Sequence, residues 1–260
     1  MRSILVYADR WPSMASRLET ALSLARMNDG HVTVLVDTPV SRFIAMDPLG
    51  GSYVAADALQ IAIAEDDANA EAITVKLEGQ GVPFDLVRSE SEPVDALATA
   101  ARLADVIIVS RASGLAGELA LVARTPVLVL PDEVRLEVPL TTACIAWDGG
   151  NEAALALRGA VPLLASCETV HLLTVREKPG GFPSVDAASY LARHGIKAEL
   201  DELTRDHSTE ATLAAAVSRL GGELLVMGAY GKSRMREYLF GGVTRYFLEE
   251  SARLPLLLAH

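Results

Sequence analysis

The sequence predicts an α/β protein of two tandem domains, each an open five-stranded parallel sheet flanked by helices. Short aliphatic runs alternate with longer Ala- and Leu-rich segments of helical spacing, and this alternation indicates strands and helices in turn. The whole series of runs occurs twice along the 260 residues. Hydrophobic residues make up 50% of the chain but aromatic residues only 5%, a balance typical of buried parallel strands.

The first series of runs predicts five strands in a β-α-β order, which favours a parallel sheet with helices on both faces. In chain order the runs are SILVY (3–7), HVTVLV (31–36), FDLV (84–87), DVIIVS (105–110) and PVLVLP (126–131).

A charged segment, DEVRLEVP (132–139), separates the two series; it lacks helical periodicity and ends in proline, so we interpret it as a linker. The second series consists of TACIAW (142–147), TVHLLTV (169–175), KAELDEL (197–203), ELLVMG (223–228) and PLLLAH (255–260). The predicted domains are therefore residues 1–138 and 139–260, each of ordinary domain size. Because the strand series is duplicated, we prefer two domains to a single ten-stranded sheet.

The two halves can be aligned, and the change in offset locates their differences. Asp9 corresponds to Asp148 at an offset of 139, whereas Arg102 corresponds to Arg219 at an offset of 117. The first half therefore carries 139 − 117 = 22 extra residues between these points. We assign them to an insertion near 41–60 and to a long helix after it.

Composition excludes several classes of function. The net charge of −11 argues against nucleic-acid binding, which requires a basic surface. No apolar run reaches the roughly 20 residues of a membrane helix, and the N-terminal apolar stretch is too short for a signal peptide, so we expect no membrane association and a cytoplasmic location. The two cysteines, Cys144 and Cys167, do not indicate a disulfide or a metal site.

The stretch GAYGKSRMREYLFGG (228–242) connects a predicted strand end to a predicted helix N-terminus, which is where α/β sheets bind ligands. It is not a Walker A loop, because Val226 stands where that loop needs a glycine, and it lacks the glycine spacing of the dinucleotide fingerprint. Its own spacing is glycine, two residues, glycine, nine residues, glycine. The first half has lost about 12 residues at the corresponding place, where only RASG (111–114) separates strand from helix.

This glycine spacing at the fourth strand resembles the nucleotide loop of the universal stress protein family, and the likeness extends over both halves. The first strand with its terminal aspartate, the five-strand order and the proline before the last strand are also similar to that family. The chain thus resembles a tandem universal stress protein, which implies two Rossmann-like domains. It also implies an internal pseudo-dimer paired through the last strands, and homodimerisation of the whole chain is plausible.

The resemblance implies an adenine-nucleotide site in the second half, for ATP or a related nucleotide, with Mg²⁺ if a triphosphate binds. Asp148 would face the nucleoside, the backbone near Val175 would meet the adenine edge, and the loop would hold ribose and phosphates. The implied loop contacts are Gly228, Gly231, Gly241, Gly242, Val243 and Thr244. Gly242 departs from the family pattern, which has Ser or Thr there; Thr244 could cap the helix or reach a phosphate.

The first half lacks the glycine loop, and we interpret Asp9 there as a cap of the first helix. No catalytic, metal-ligating or nucleophilic arrangement is visible in either half; at most, slow hydrolysis of bound ATP is conceivable. We therefore predict a stress-response nucleotide switch. The alternative is a nucleotide-free scaffold that contacts an unknown protein partner through the 41–60 insertion. A third alternative, an adenylating ligase, is disfavoured because the Ser-Gly-Gly loop of such enzymes is missing.

Overall fold

The computed structural model describes residues 1–46, 52–176, 183–231, 242–249 and 253–260. All ten predicted strands are present, with ends within one or two residues of the predicted ones. The strands of the first half are β1 (Ser3–Tyr7), β2 (His31–Asp37), β3 (Ile44–Met46), β4 (Ser52–Val54), β5 (Phe84–Ser89), β6 (Val106–Ser110) and β7 (Val127–Leu130). Those of the second half are β8 (Thr142–Ala146), β9 (Thr169–Arg176), β10 (Ala198–Thr204), β11 (Leu224–Gly228) and β12 (Leu256–Ala259).

Helices fill the connections between the strands, as the Ala- and Leu-rich segments predict. They are α1 (Met14–Asn28), α2 (Ala56–Leu77), α3 (Pro93–Ala100), α4 (Ala116–Val122), α5 (Asn151–Leu164), α6 (Ser184–Arg193), α7 (Thr209–Leu220) and α8 (Gly242–Glu249).

The strands β3 and β4 form a separate hairpin, and the other ten strands form one continuous sheet in the order β10-β9-β8-β11-β12-β7-β6-β1-β2-β5. Numbered within its own half, each set of five has the order 3-2-1-4-5, and all pairings within a half are parallel. We preferred two domains to a single ten-stranded sheet, and the ten strands do hydrogen-bond as one sheet. The duplicated five-stranded units exist, but their sheets are joined edge to edge.

The joint is an antiparallel pairing of the two last strands, β7 and β12. Leu128 pairs with Leu257 at the middle of the joint. These two leucines are equivalent in the repeat, because 257 − 128 = 129 is also the offset between Pro126 and Pro255. A pseudo-twofold axis therefore passes between them, as the resemblance implied for an internal pseudo-dimer.

The core lies in two layers, one on each face of the sheet. One buried cluster contains residues of α1, α2, α5 and α6, and the other contains residues of α3, α4, α7 and α8. Strands such as β6 are buried along their whole length because helices cover both faces, and this explains their uninterrupted aliphatic sequence.

The insertion lies where the offsets predict it. The β3–β4 hairpin and the 22-residue helix α2 occupy the connection whose counterpart in the second half includes the 10-residue helix α6. The linker contains no helix or strand, but it is not loose: Leu136 is buried, and its backbone N–H donates to the Thr20 hydroxyl of α1 at 2.9 Å.

Candidate functional site

The candidate site begins at the carboxyl end of β8, where Asp148 follows the strand. Its Oδ1 accepts a hydrogen bond from the Gly150 N–H at 2.8 Å, and α5 starts at the next residue, Asn151. This short turn places the carboxylate beside the N-terminus of α5. Unpaired N–H groups and the positive end of the helix dipole lie there.

Gly228 ends β11 and lies against the first turn of α5. A Cβ built on Gly228 would be 2.5 Å from the Ala153 nitrogen and 2.6 Å from the Glu152 carbonyl carbon. Both contacts are with backbone, which cannot move aside as a side chain can. Glycine is therefore required here for the close approach of strand and helix.

Gly231 lies close to the carboxylates of Asp148 and Glu152 at the start of α5. A Cβ on Gly231 would lie 3.0 Å from Glu152 Oε2 and 3.7 Å from Asp148 Oδ2. The structure thus brings together an aspartate and a glycine that are 231 − 148 = 83 residues apart in the chain. Both were predicted to contact one ligand.

The far end of the loop reaches the same place through α8. Gly242 is the exposed first residue of that helix, and a Cβ on it would meet open space. Thr244 is buried, and its hydroxyl oxygen accepts a hydrogen bond from the Tyr230 N–H at 3.3 Å. Thr244 therefore connects the two ends of the loop. Val243, which lies between Gly242 and Thr244 in the chain, is half-buried. The predicted contact Gly241 lies outside the described residues.

Val175 lies near the end of β9, the strand next to β8, and is partly buried. The backbone joins the two strand ends, because the Trp147 N–H donates to the Leu173 carbonyl at 2.8 Å. Val175 and Asp148 consequently follow neighbouring strands at one edge of the sheet. The predicted adenine-side and nucleoside-side contacts are therefore on adjacent strands.

The described part of the site is acidic. Asp148 and Glu152 both approach Gly231, and the basic residues of the loop, Lys232, Arg234 and Arg236, lie outside the described residues. Arg245 of α8 donates from Nε to Glu249 at 2.8 Å. Within the described residues, the donors at the mouth of the site are chiefly the backbone N–H groups of the α5 and α8 N-termini.

The equivalent cleft of the first half is filled by a side chain. Arg17 of α1 is fully buried; its guanidinium donates to the Tyr7 carbonyl at 3.2 Å, to Ser13 Oγ at 3.0 Å and to the Asp9 carboxylate. Asp9 also accepts from the Trp11 N–H at 3.1 Å, which repeats the Asp148–Gly150 turn. Asp9 does not cap α1: the N-cap is Ser13, and Asp9 pairs with Arg17 instead.

Three positions around the two clefts differ in size and polarity. The strand register makes Tyr7 equivalent to Ala146 (7 + 139) and Asp37 to Val175 (37 + 138). The offset of 139 between Asp9 and Asp148, continued into the following helix, makes Arg17 equivalent to Ala156 (17 + 139). The first half thus has large or ionisable side chains where the second half has small apolar ones.

In the first half the ionisable groups contact each other. A hydrogen bond joins Tyr7 and Asp37, and burial is the main reason why the pKa of each is raised. Asp66 is buried beside them and accepts from the Thr38 hydroxyl at 2.7 Å.

Sequence reasoning missed Glu152 and Arg17. Glu152 stands in the first turn after Asp-Gly-Gly, and a carboxylate at a helix N-terminus is common enough to pass unnoticed. Arg17 has a clearer signal, because alignment of the halves places an arginine opposite Ala156 on a helix face that is otherwise apolar.

The sequence led us to expect neither a metal site nor a membrane-spanning helix. No group of three or more His, Cys, Asp and Glu residues is arranged there to hold a metal ion. No described helix is both long and apolar enough to cross a membrane. The predicted cytoplasmic location stays a prediction.

The chain was compared with known proteins. No protein-family model matches it, and no curated protein matches its sequence. Solved structures do match over the whole chain. A universal stress protein from Archaeoglobus fulgidus DSM 4304 covers 99% of this chain and 96% of its own, at 14% identity and a TM-score of 0.70.

Two Pseudomonas aeruginosa structures are similar. A putative universal stress protein from strain UCBPP-PA14 covers 100% of this chain and 93% of its own, at 16% identity and a TM-score of 0.61. A protein of unknown function from strain PAO1 covers 100% and 92%, at 16% identity and a TM-score of 0.62. The chain therefore has the fold of these full-length universal stress protein structures, and the resemblance inferred from the sequence is confirmed at the level of the fold.

Proposed function

We propose that the chain acts as a tandem universal stress protein whose second half binds ATP or another adenine nucleotide and serves as a switch in the stress response. The observation that carries the proposal is the contact of Gly231 with Asp148 and Glu152 at the carboxyl edge of the sheet. Ligands of open α/β sheets bind at that edge.

The residues around this edge fit a nucleotide. The Asp148 carboxylate can accept hydrogen bonds from ribose hydroxyls, and the N–H groups at the start of α8 suit a phosphate. Gly242 keeps its N–H and leaves open space beside it, although it lacks the hydroxyl of the family pattern. Ala146 and Ala156 are smaller and less polar than their first-half counterparts, Tyr7 and Arg17. A bound nucleotide would supply the signal, and we propose no turnover beyond slow hydrolysis.

The two carboxylates bear on which nucleotide binds. A triphosphate placed near Glu152 meets a like charge, so it would require Mg²⁺ or the loop cations to offset the repulsion. AMP and adenosine meet less repulsion. Replacing Glu152 by Gln should therefore strengthen ATP binding about threefold to tenfold in the absence of Mg²⁺ and change adenosine binding little. An equal change for both ligands would contradict the proposed position of the phosphates.

The experiment is a calorimetric titration with ATP and with AMP, with and without Mg²⁺. Asp148→Asn and Gly231→Val should each weaken binding about tenfold or more. Gly231 is preferred to Gly228 because its substituent meets a side-chain carboxylate that can move, so the fold should survive. Asp206→Asn is the matched control, since that aspartate is 84% exposed and outside the site. No binding below millimolar ATP or AMP would overturn the proposal.

A second candidate function is a nucleotide-free scaffold. It is favoured by exposed apolar residues around the insertion: Ile44 is 52% exposed, Val54 46% and Ile61 62%. Exposed apolar side chains that cluster in one region of the surface are typical of a protein contact, and these three lie in the β3–β4 hairpin and the first turns of α2. A triple change of these residues to Ser should leave nucleotide binding intact and abolish association with a protein partner, which affinity capture followed by mass spectrometry would detect.

A further inference from the structure

A cavity lies at the junction of the two halves, and none of its lining residues is among the contacts proposed for the nucleotide. Its volume is about 350 Å³, within the range of small-molecule sites. Its walls come from the α4–β7 turn (123–126), from one side of α5, from Tyr190 of α6 and from the end of β12.

The floor of the cavity is a close contact between the halves. A Cβ on Gly159 of α5 would lie 2.5 Å from Cγ of Pro126 at the start of β7. Glycine at this position lets α5 of the second half rest on the first half. Anything bound above this contact would touch both halves at once.

The charge of the cavity differs from that of the protein as a whole. Its side chains include two arginines, Arg124 from the first half and Arg158 from the second, and no aspartate or glutamate. Neither guanidinium makes an ion pair or side-chain hydrogen bond within the described residues. The chain has 34 acidic residues for 23 Lys and Arg, and several exposed arginines elsewhere pair with carboxylates, as Arg42 does with Glu92 at 2.8 Å.

Two further side chains can assist a ligand. His260 is fixed by its Nδ1, which donates to the Ala229 carbonyl at 2.8 Å, so Nε2 can face another partner. Tyr190 is half-buried, its ring centroid 4.7 Å from that of His194, and it offers an aromatic wall. Two forked guanidinium groups beside an aromatic ring suit a planar or phosphorylated anion.

We propose that this cavity binds a small molecule bearing a phosphate or carboxylate group, held between Arg124 and Arg158 and stacked against Tyr190. The ligand connects the two halves across their joint. This site is separate from the nucleotide site and does not depend on it.

The test uses the full chain with the Gly231→Val change, which weakens the proposed nucleotide site and so removes its competition for phosphate. Phenyl phosphate, benzoate and inorganic phosphate are titrated separately, and amide shifts are followed by NMR. Phenyl phosphate or benzoate should shift the amide signals of Thr125 and Gly159 with a titration midpoint at or below about 1 mM. Inorganic phosphate should bind more weakly than the stronger of these two probes. The stronger of the two probes identifies the anionic group.

The variant Arg124→Gln/Arg158→Gln should weaken the stronger probe about tenfold or more. Arg219→Gln, an exposed arginine of α7, is the matched control and should leave the midpoint unchanged. Shifts confined to other regions, no shift at 10-fold higher probe, or equal binding by the double variant would each overturn the proposal. Loss of nucleotide binding in the earlier titration would not affect this outcome.

Discussion

The two halves use one strand order and one aspartate turn, yet their clefts are opposite in character. In the first half the Arg17 guanidinium is fully buried at the carboxyl end of β1 and pairs with Asp9. In the second half Ala156 occupies the equivalent helix position, and the Asp148 carboxylate accepts a hydrogen bond from the Gly150 N–H. The difference shows that a buried ion pair can stand in one half where the other half has a small apolar side chain. We therefore infer that the first cleft is closed by its own side chains.

The largest expected effect comes from removing the buried ion pair. Arg17→Met leaves the Asp9 carboxylate buried without its partner, so the free energy of unfolding should fall by about 3–5 kcal/mol. Urea denaturation measures it. The double change Arg17→Met/Asp9→Asn should recover a large part of the loss; if it recovers none, the ion pair is not what stabilises this cleft.

The next test compares the strand ends that face the clefts. Gly228→Ala places a methyl group 2.5 Å from a backbone nitrogen, so it should cost about 1–3 kcal/mol of unfolding free energy. The equivalent residue of the first half, Ser110 (228 − 118), already has a side chain and is fully buried. Ser110→Ala should therefore cost less, about 1 kcal/mol, through the loss of its hydrogen bond with the Ser113 N–H at 3.3 Å. Equal costs would contradict the closer packing of α5.

A single substitution should close the cleft of the second half in the way that Arg17 closes the cleft of the first. Ala156→Arg places a guanidinium next to Asp148, as Arg17 is next to Asp9, and nucleotide affinity should fall about tenfold or more. Circular dichroism establishes that the variant is folded. Ala154→Arg, two residues earlier on α5 and therefore on another side of the helix, serves as the control. A folded Ala156→Arg protein that binds ATP as the parent does would show that this position is not part of the site.

The smallest effect concerns Asp37, whose counterpart is Val175. Burial raises the pKa of Asp37, so the folded state holds its proton more tightly than the unfolded state does. Stability from this group is present at low pH and is lost as the pH rises through the folded pKa. Asp37→Asn should therefore raise the midpoint of thermal unfolding slightly at neutral pH, and the gain should shrink as the pH falls toward the range where Asp37 is protonated in both states. Thermal unfolding at several pH values measures it.

The sequence was sufficient to predict the ten strands, the linker and the insertion. Each depends on local patterns: aliphatic runs, proline and the offset between repeats. The family resemblance implied that Asp148 and Gly231 contact one ligand; the structure brings these two residues together, and the ligand stays a prediction. The family resemblance implied that the last strands pair, and β7 and β12 do so, but their antiparallel register follows from no local pattern in the chain. Arg17 was missed because the sequence alone does not distinguish a buried arginine from an exposed one. Its partners, Asp9 and the Tyr7 carbonyl, are known only from the structure.

The antiparallel joint at Leu128 and Leu257 has a consequence for how such a protein can diverge. In a dimer of two identical subunits, any change to a cleft appears in both clefts, so closing one closes the other. Here the two subunits are one chain, and each half can mutate alone. One cleft can become part of a rigid core while the other remains able to bind a ligand. Because both halves share one sheet, the stability of the first half also supports the second.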